Sequence, residues 1–278
     1  MEPTDAIDTH DQRGDVSADP TPRAVLVTGG GRGIGKSIAA RFATSGSKVA
    51  IADLDAELAR SAAAEIGLGS IGIGCDVTDR DSVTHTFDRI DAEFGRLDVI
   101  VHNVGVARNV SFEDMTDDDW NFQVDVTLRS AFVVAQIGLP RLTTPGGNIV
   151  FIGSVNGFSA FGHEAYSAAK AGIVSLSQNL AVRNGPRGIR SNVVVPGTIQ
   201  TEVWIPRLRQ DPEVLTRMSR HYPLRRIGTP GDVAAAVSFL ASVEASWISG
   251  IALPVDGGLL AGSLAMAEDT DLRPSPGA

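Results

Sequence analysis

This sequence has very little cysteine, no long apolar run and no excess of positive charge. The single cysteine, Cys75, excludes an intramolecular disulfide framework in a chain of 278 residues. No stretch of about 18 uninterrupted apolar residues is present, so no membrane-spanning helix is predicted. Lys and Arg total 24 against 33 Asp and Glu, and the net charge of −9 disfavours binding to nucleic acid or to an anionic membrane. The expected partners are therefore small molecules.

The two ends of the chain differ in composition from the rest. Residues 1–22 are polar, rich in Asp, Thr and Pro, and lack apolar periodicity, which predicts a disordered N-terminal leader. The first residues are acidic, whereas a secretion signal has a basic segment followed by an apolar one, so a cytoplasmic location is expected. Residues 263–278 form a predicted polar C-terminal tail. A single domain is predicted between them, over residues 23–262.

Short β-branched runs alternate with longer amphipathic stretches through this domain. Ala24 to Val27 is a predicted strand, and a helical pattern from Ile34 to Ser45 leads to a second strand from Lys48 to Asp53. A further helix is predicted from Ala56 to Ile66. The later apolar runs begin at Ser70, Leu97, Asn148, Arg190 and Ile251. Seven strands separated by helices predict a doubly wound, seven-stranded parallel α/β sheet with helices on both faces, the Rossmann fold.

A glycine-rich turn joins the first predicted strand to the first predicted helix. Glycines let a backbone turn tightly and approach a pyrophosphate, and the unpaired amides at a helix start attract its negative charge. The placement between strand and helix, with an acid after the second strand, predicts a dinucleotide site. The members of the turn predicted to bind the nucleotide are Gly29, Arg32, Gly33, Ile34 and Gly35.

The acid after the second strand is Asp53, 18 residues beyond Gly35. A carboxylate here suits the two hydroxyls of an adenosine ribose, although a helix cap is the simpler alternative. At a distance of about 4 Å and an effective dielectric near 20, it would repel a 2′-phosphate by about 4 kcal/mol. NAD is therefore predicted over NADP. Arg32 argues the other way, because a guanidinium beside the turn could meet that phosphate.

A tyrosine and a lysine stand four residues apart, at Tyr166 and Lys170. On a helix this spacing places both side chains on one face, so the phenol and the ammonium share a small volume. A neighbouring cation favours the phenolate, and the pair predicts a tyrosine whose pKa is lowered toward neutrality for proton transfer. The same spacing occurs on many surface helices without any function, so the pair gains its meaning from its surroundings.

Further short motifs follow the later predicted strands. They are Asp76-Val77 after the third strand, Asn103-Val104-Gly105 after the fourth, Gly153-Ser154 after the fifth, and Pro196-Gly197 with Ile199 and Thr201 after the sixth. Together with the glycine-rich turn, Asp53, Tyr166 and Lys170, these motifs make the chain resemble the short-chain dehydrogenase/reductase family, in its single-domain branch. The resemblance covers about residues 23–260.

This resemblance implies an oxidoreductase that moves hydride between a nicotinamide cofactor and a secondary alcohol or ketone. Tyr166 would be the general acid/base, Ser154 would hydrogen-bond the substrate oxygen, and Lys170 would hold the nicotinamide ribose. A homotetramer is implied as well, built partly from the helices that contain Trp120 and Tyr166. The implied cofactor contacts beyond the turn are Asp53, Asp76, Val77, Asn103, Gly105, Tyr166, Lys170, Pro196, Gly197, Ile199 and Thr201.

Two positions depart from the family pattern. Many members have an asparagine before the fifth strand that helps to hold a water in the proton path to the lysine. Thr127 stands there in this chain and offers one hydroxyl in place of an amide. Val104 replaces the usual alanine, and its extra methyls narrow the channel near the cofactor. Thr127 keeps open a rival hypothesis, a nucleotide-binding scaffold without turnover, and the fold also allows a lyase or epimerase.

Several other features have simpler explanations than a functional site. Thr116 followed by Asp119 predicts a helix start, so the acidic run around them is not interpreted as a metal site, and no metal is predicted. Cys75 is predicted to be a small buried hydrophobe, and His163 either a solvated loop residue or a substrate contact. The arginines between residues 202 and 228 could attract an acidic substrate or form a solvated face, and the sequence does not distinguish these alternatives.

Overall fold

The computed structural model describes residues 22–263 together with Met266 and Thr270, so the predicted leader and tail lie almost entirely outside the described residues. Its sheet has seven parallel strands in the order β3-β2-β1-β4-β5-β6-β7. The strands are β1 (Ala24–Thr28), β2 (Lys48–Asp53), β3 (Ile71–Gly74), β4 (Val99–His102), β5 (Asn148–Ile152), β6 (Arg190–Pro196) and β7 (Ala252–Val255). The predicted doubly wound parallel sheet is confirmed.

Helices cover both faces of this sheet. α1, α2 and α9 pack on one face, and α3, α5 and α6 pack on the other. Among the described residues, no helix is both long enough and apolar enough to cross a bilayer. The helices are α1 (Gly33–Thr44), α2 (Ala56–Ile66), α3 (Arg80–Phe94), α4 (Asp117–Val124), α5 (Ser130–Gly138), α6 (Glu164–Asn184), α7 (Ile205–Gln210), α8 (Val214–Ser219) and α9 (Pro230–Leu240).

The strands are buried because both of their faces are covered by helices. Every residue of β1, β4 and β5 is buried, which explains why these strands are apolar except at one end instead of alternating with polar residues. Phe87 of α3 and Phe151 of β5 lie in one core layer, and Ile38 of α1 lies in the other. Each such side chain stabilises the fold by about 1.5–3 kcal/mol when it leaves water.

The helix starts differ in how their free amides are satisfied. The Thr116 hydroxyl accepts a hydrogen bond from the Asp119 N–H over 3.1 Å at the start of α4, so the predicted helix start in the acidic run is confirmed. Asp55 caps α2 and Asp79 caps α3 in a similar way. By contrast, α1 follows Arg32 with no side-chain cap, and its first amides remain available to an anion.

The topology brings the carboxyl ends of the central strands together. The chain builds the sheet from β1 toward β3 in one direction and from β4 toward β7 in the other, so the order reverses between β1 and β4. Thr28 at the end of β1 is paired with His102 at the end of β4. A crevice outside the carboxyl ends at such a reversal is where ligands bind in open parallel sheets.

Candidate active site

The backbone of the glycine-rich turn leaves no room for side chains at several of its positions. Gly29 and Gly33 have φ values of 60° and 53°, in the left-handed region that favours glycine. A Cβ on Gly35 would lie only 2.1 Å from the carbonyl oxygen of Gly29, so a residue with a side chain cannot replace it without movement of the backbone. These constraints and the uncapped start of α1 fit a dinucleotide pyrophosphate.

Asp53 is fixed beside this turn by backbone amides. One carboxylate oxygen accepts a hydrogen bond from the Gly31 N–H over 3.0 Å, and the other accepts one from the Asp55 N–H over 3.3 Å. A Cβ on Gly31 would come within 2.9 Å of the same carboxylate. Asp53 is therefore held in place at the end of β2, while the side chain of Arg32 is exposed at the start of α1.

The motif after β3 makes local contacts. An Asp76 carboxylate oxygen accepts hydrogen bonds from the Thr78 N–H over 2.9 Å and from the Thr78 hydroxyl over 2.7 Å. Val77 is buried in the core layer that contains Phe87, and Cys75 is buried beside it, as predicted for that cysteine. The adenine contact of Asp76 and Val77 stays a prediction.

Asn103 connects the end of β4 to the glycine-rich turn. Its side-chain amide donates to the Gly29 carbonyl over 2.9 Å, and its backbone N–H donates to the Thr28 hydroxyl over 3.2 Å. Val104 also faces the turn, because its Cγ2 atom lies 3.1 Å from the position that a Cβ on Gly29 would take. The extra methyls of Val104 thus lie against the turn, where we expected them to narrow the channel.

His102 is a buried residue of this edge that sequence reasoning missed. Its Nδ1 lies 3.1 Å from the Thr28 hydroxyl, and its Nε2 lies 3.1 Å from the Ser130 hydroxyl at the start of α5. Burial, together with the nearby charge of Lys170, lowers the pKa of His102 to about 3, so the imidazole is neutral. The available signal was its position at the end of β4, directly before Asn103.

Ser154, Tyr166 and Lys170 meet at the end of β5. Ser154 lies close enough to the Tyr166 phenol to lower its pKa, and the Lys170 Nζ lies 5.5 Å from the centre of the Tyr166 ring. Lys170 is buried and donates to the Ile152 carbonyl over 2.6 Å. A Cβ on Gly105 would lie 2.8 Å from the Lys170 Nζ, so a glycine at position 105 leaves room for the ammonium. The structure thus brings the three predicted catalytic residues together; their roles stay predictions.

The predicted lowering of the Tyr166 pKa is wrong. Burial raises the pKa of Tyr166, and the hydrogen bond with Ser154 opposes this rise only in part. The Lys170 ammonium contacts the Ile152 carbonyl and lies over the Tyr166 ring. Burial also lowers the pKa of Lys170 to about 7. A lysine that is only partly charged at neutral pH cannot strongly favour the phenolate. Tyr166 therefore carries its proton at neutral pH.

Thr127 lies in the middle of a π-helical segment, Asp125–Arg129, between α4 and α5. It is fully buried, and its hydroxyl accepts a hydrogen bond from the Val106 N–H over 3.2 Å. The hydroxyl thus supports the backbone just beyond the Asn103-Val104-Gly105 motif. π-Helical segments frequently occur at functional sites, and this one lies beside Gly105 and so near Lys170.

The loop after β6 reaches across to the glycine-rich turn. The Tyr222 hydroxyl accepts a hydrogen bond from the Thr198 N–H over 2.8 Å, which fixes the loop next to Gly197. Ile199 is buried and forms a parallel bridge with Gly228. A Cβ on Gly33 would lie 3.3 Å from Thr201, so the end of this loop touches the turn. Thr201 therefore lies against the glycine-rich turn, and the contact of Pro196, Gly197, Ile199 and Thr201 with the nicotinamide stays a prediction.

A cavity of about 1020 Å³ adjoins this site. Asn156 lines this cavity. Its side-chain oxygen accepts a hydrogen bond from the Ser154 hydroxyl over 3.2 Å. His163 lines it too, which favours the substrate-contact alternative for that residue. Sequence reasoning missed Asn156 and left the role of Tyr222 undefined, because no motif marks either residue as part of a cavity wall.

Comparisons with known proteins agree with this geometry. A family model described as "Enoyl-(Acyl carrier protein) reductase" matches residues 29–260. The uncharacterized oxidoreductase C922.06 of Schizosaccharomyces pombe is 41% identical over 250 residues, which are 89% of this chain and 94% of that protein. The 3-oxoacyl-[acyl-carrier-protein] reductase MabA of Mycobacterium bovis is 38% identical over 239 residues, 85% of this chain and 92% of that one.

Two further proteins are similar to this chain. The D-threitol dehydrogenase of Mycolicibacterium smegmatis is 37% identical over 245 residues, which are 85% of this chain and 92% of that enzyme. The crystal structure of an oxidoreductase of the short-chain dehydrogenase/reductase family from Burkholderia thailandensis matches the structure of this chain with a TM-score of 0.83. The two sequences are 38% identical, and the match covers 91% of this chain and 99% of that one. This chain belongs to the short-chain dehydrogenase/reductase family and is an oxidoreductase, and membership of this family implies a nicotinamide cofactor.

Proposed function

We propose that this enzyme transfers hydride between NAD and a secondary alcohol or ketone, with Tyr166 as the general acid/base. The observation that carries the proposal is the meeting of Ser154, Tyr166 and Lys170 beside the glycine-rich turn. When bound, the nicotinamide supplies a carbon that accepts or gives hydride. The turn would hold the pyrophosphate, Asp53 the adenosine ribose, and the loop after β6 the nicotinamide.

The protonation state of Tyr166 suits it to act as the proton donor when a ketone is reduced at neutral pH. Tyr166 carries a proton because burial raises its pKa, so its phenol can donate to the alkoxide oxygen that develops from a ketone. Ser154 lies close to the phenol and would donate to the same substrate oxygen. Burial lowers the pKa of Lys170 to about 7, so the lysine is only partly charged at neutral pH. Its charged form stabilises the phenolate that remains on Tyr166 after the proton transfer.

The choice of NAD over NADP rests on Asp53. Backbone amides hold its carboxylate beside the turn, and a fixed negative charge repels a 2′-phosphate. Arg32 is exposed and makes no side-chain cap at α1, so it is not fixed in the way that Asp53 is. The names of two relatives support the substrate class, since a 3-oxoacyl reductase and a threitol dehydrogenase act on a ketone and on an alcohol.

We further propose a homotetramer and a cytoplasmic location. Exposed aromatic side chains support the assembly: Trp120 on α4 and Phe132 on α5 both remain accessible in the single chain. Burial of such side chains between subunits is typical of stable interfaces. The mass of the protein in solution tests the assembly, and a monomeric mass would contradict it.

The experiment that tests the function incubates the protein with NADH and a panel of ketones, or with NAD and the matching alcohols. The proposal expects NADH to be consumed in proportion to the alcohol formed, with deuterium transferred from labelled NADH to the carbonyl carbon. Conversion without net change in NADH would identify a lyase or epimerase. Tight NAD binding without any conversion would support a scaffold.

A further inference from the structure

The cavity beside the site has a charged wall of one sign. Arg220 and Arg225 line it, together with His163 and His221. Among residues 22–263, no aspartate or glutamate contributes to its lining. The net charge of the chain is −9, which repels anions overall, whereas the arginines of this wall attract them.

The neighbouring arginines differ from these two in their partners. Arg217 forms an ion pair with Asp211, and Arg226 forms one with Asp232, so both of those charges are already compensated. Arg220 and Arg225 form no ion pair with any carboxylate of the described residues. Arg207 and Arg209 also form no ion pair among the described residues, but they do not line the cavity, whereas Arg220 and Arg225 do.

Backbone conformation supports a specific role for Arg225. It has a φ of 55°, a left-handed conformation that is rare and unfavourable for a residue with a side chain. One of its terminal nitrogens donates to the Arg220 carbonyl over 3.1 Å, which ties the two residues together. A guanidinium has five N–H donors, so most of those on Arg225 remain for a ligand.

The other end of the cavity reaches the reacting groups. Asn156 lines the cavity and contacts the Ser154 hydroxyl over 3.2 Å, whereas Phe161, Trp204 and Met218 provide apolar lining. A ligand with an oxygen at Ser154 would therefore pass apolar side chains before it reaches the arginines.

Resting on the proposed function, we propose that the substrate carries an anionic group, a carboxylate or a phosphate, that Arg220 and Arg225 bind while its carbonyl lies at Ser154 and Tyr166. Guanidinium groups bind both anions through paired, charge-assisted hydrogen bonds. The anion is a recognition group and takes no part in the hydride transfer.

Matched ligand pairs test this proposal. Levulinate is compared with methyl levulinate, and dihydroxyacetone phosphate with dihydroxyacetone, so that each pair differs in the anion. We expect kcat/KM to be at least about tenfold higher for the anionic member of one pair, the gain expected from charged hydrogen bonds at a solvent-accessible site. The pair that shows the preference identifies the anion as a carboxylate or a phosphate.

Variants assign the preference to the two arginines. In the double variant Arg220→Gln, Arg225→Gln, the preference is lost through KM, while kcat and the activity on the neutral ketone are retained. The matched control is Arg217→Gln, which removes a nearby arginine that is paired with Asp211 and keeps the preference. Circular dichroism verifies that both variants fold.

A binding measurement separates failure of this proposal from failure of the proposed function. Calorimetry on the Tyr166→Phe protein with NADH follows anion binding without turnover. Hydride transfer without anion preference, or with a preference that survives the double variant, overturns the anion site and leaves the proposed function intact. Anion binding that requires both arginines, with no hydride transfer to any ketone by the unmodified protein, supports the anion site and contradicts the proposed function.

Discussion

The ammonium nitrogen of Lys170 lies 5.5 Å from the centre of the Tyr166 ring, one helical turn away along α6. Lys170 donates to the Ile152 carbonyl over 2.6 Å, so β5 holds the ammonium. Burial lowers the pKa of Lys170 to about 7 and raises that of Tyr166. As pH rises, the lysine therefore loses its proton before the tyrosine does. The site holds a protonated phenol beside a lysine that titrates near neutrality.

Replacing Lys170 by methionine is expected to remove a pH-dependent part of the stability. The pKa of Lys170 is about 7 in the folded protein and near its ordinary value of 10.5 in the unfolded chain. Between these values only the unfolded chain binds the proton, so the free energy of unfolding rises with pH by about 1.4 kcal/mol per unit. Urea unfolding at several pH values above 7 should show this rise in the unmodified protein and not in Lys170→Met. If the free energy of unfolding changes with pH equally in both proteins, the lowered pKa of Lys170 is contradicted.

His102 is expected to make the protein sensitive to acid. Its pKa is about 3 in the folded protein against an ordinary 6.5, so between these values only the unfolded chain takes up the proton. The free energy of unfolding then falls by about 1.4 kcal/mol for each unit of decreasing pH. His102→Gln should lose this dependence, whereas the exposed His85→Gln should keep it. Equal acid sensitivity of the two variants would rule out the account of His102.

Asp53 is expected to set the preference between the two nucleotides. Replacing it by asparagine removes the charge that repels a 2′-phosphate, worth about 4 kcal/mol at close range and less where water screens it. The ratio of kcat/KM for NADH to that for NADPH should fall at least about tenfold in Asp53→Asn. Asp55→Asn is the control, because Asp55 lies on the same loop but caps α2. An unchanged ratio in Asp53→Asn would show that this carboxylate does not choose the nucleotide.

Thr127 is expected to support the backbone beside Gly105 through its hydroxyl. Thr127→Val keeps the shape but leaves the Val106 N–H without its acceptor, which should cost about 1–3 kcal/mol of unfolding free energy. Thr127→Ser keeps the hydroxyl and should lose less. The two variants are compared by urea unfolding at one pH, and equal stability would exclude this role.

The strands and the glycine-rich turn were predictable from the sequence because each depends on residues that are close together in the chain. The continuously apolar runs indicated the strands, and the glycines of the turn indicated a backbone that admits no side chain, as the 2.1 Å approach at Gly35 demonstrates. The pKa order of Tyr166 and Lys170 was not predictable, since the desolvation that sets it comes from packing of distant segments. The bridge from Thr28 through His102 to Ser130 joins three elements far apart in the chain, and no spacing rule encodes it.

The most direct test of the central claim compares single-turnover hydride transfer in the unmodified enzyme and in Tyr166→Phe, with the ketone that the substrate panel identifies. Loss of the phenol removes the proton donor, so the rate should fall by about a hundredfold to ten-thousandfold while the dissociation constant for NADH changes far less. A Tyr166→Phe enzyme that transfers hydride at the unmodified rate would contradict the assignment of Tyr166 as the general acid/base.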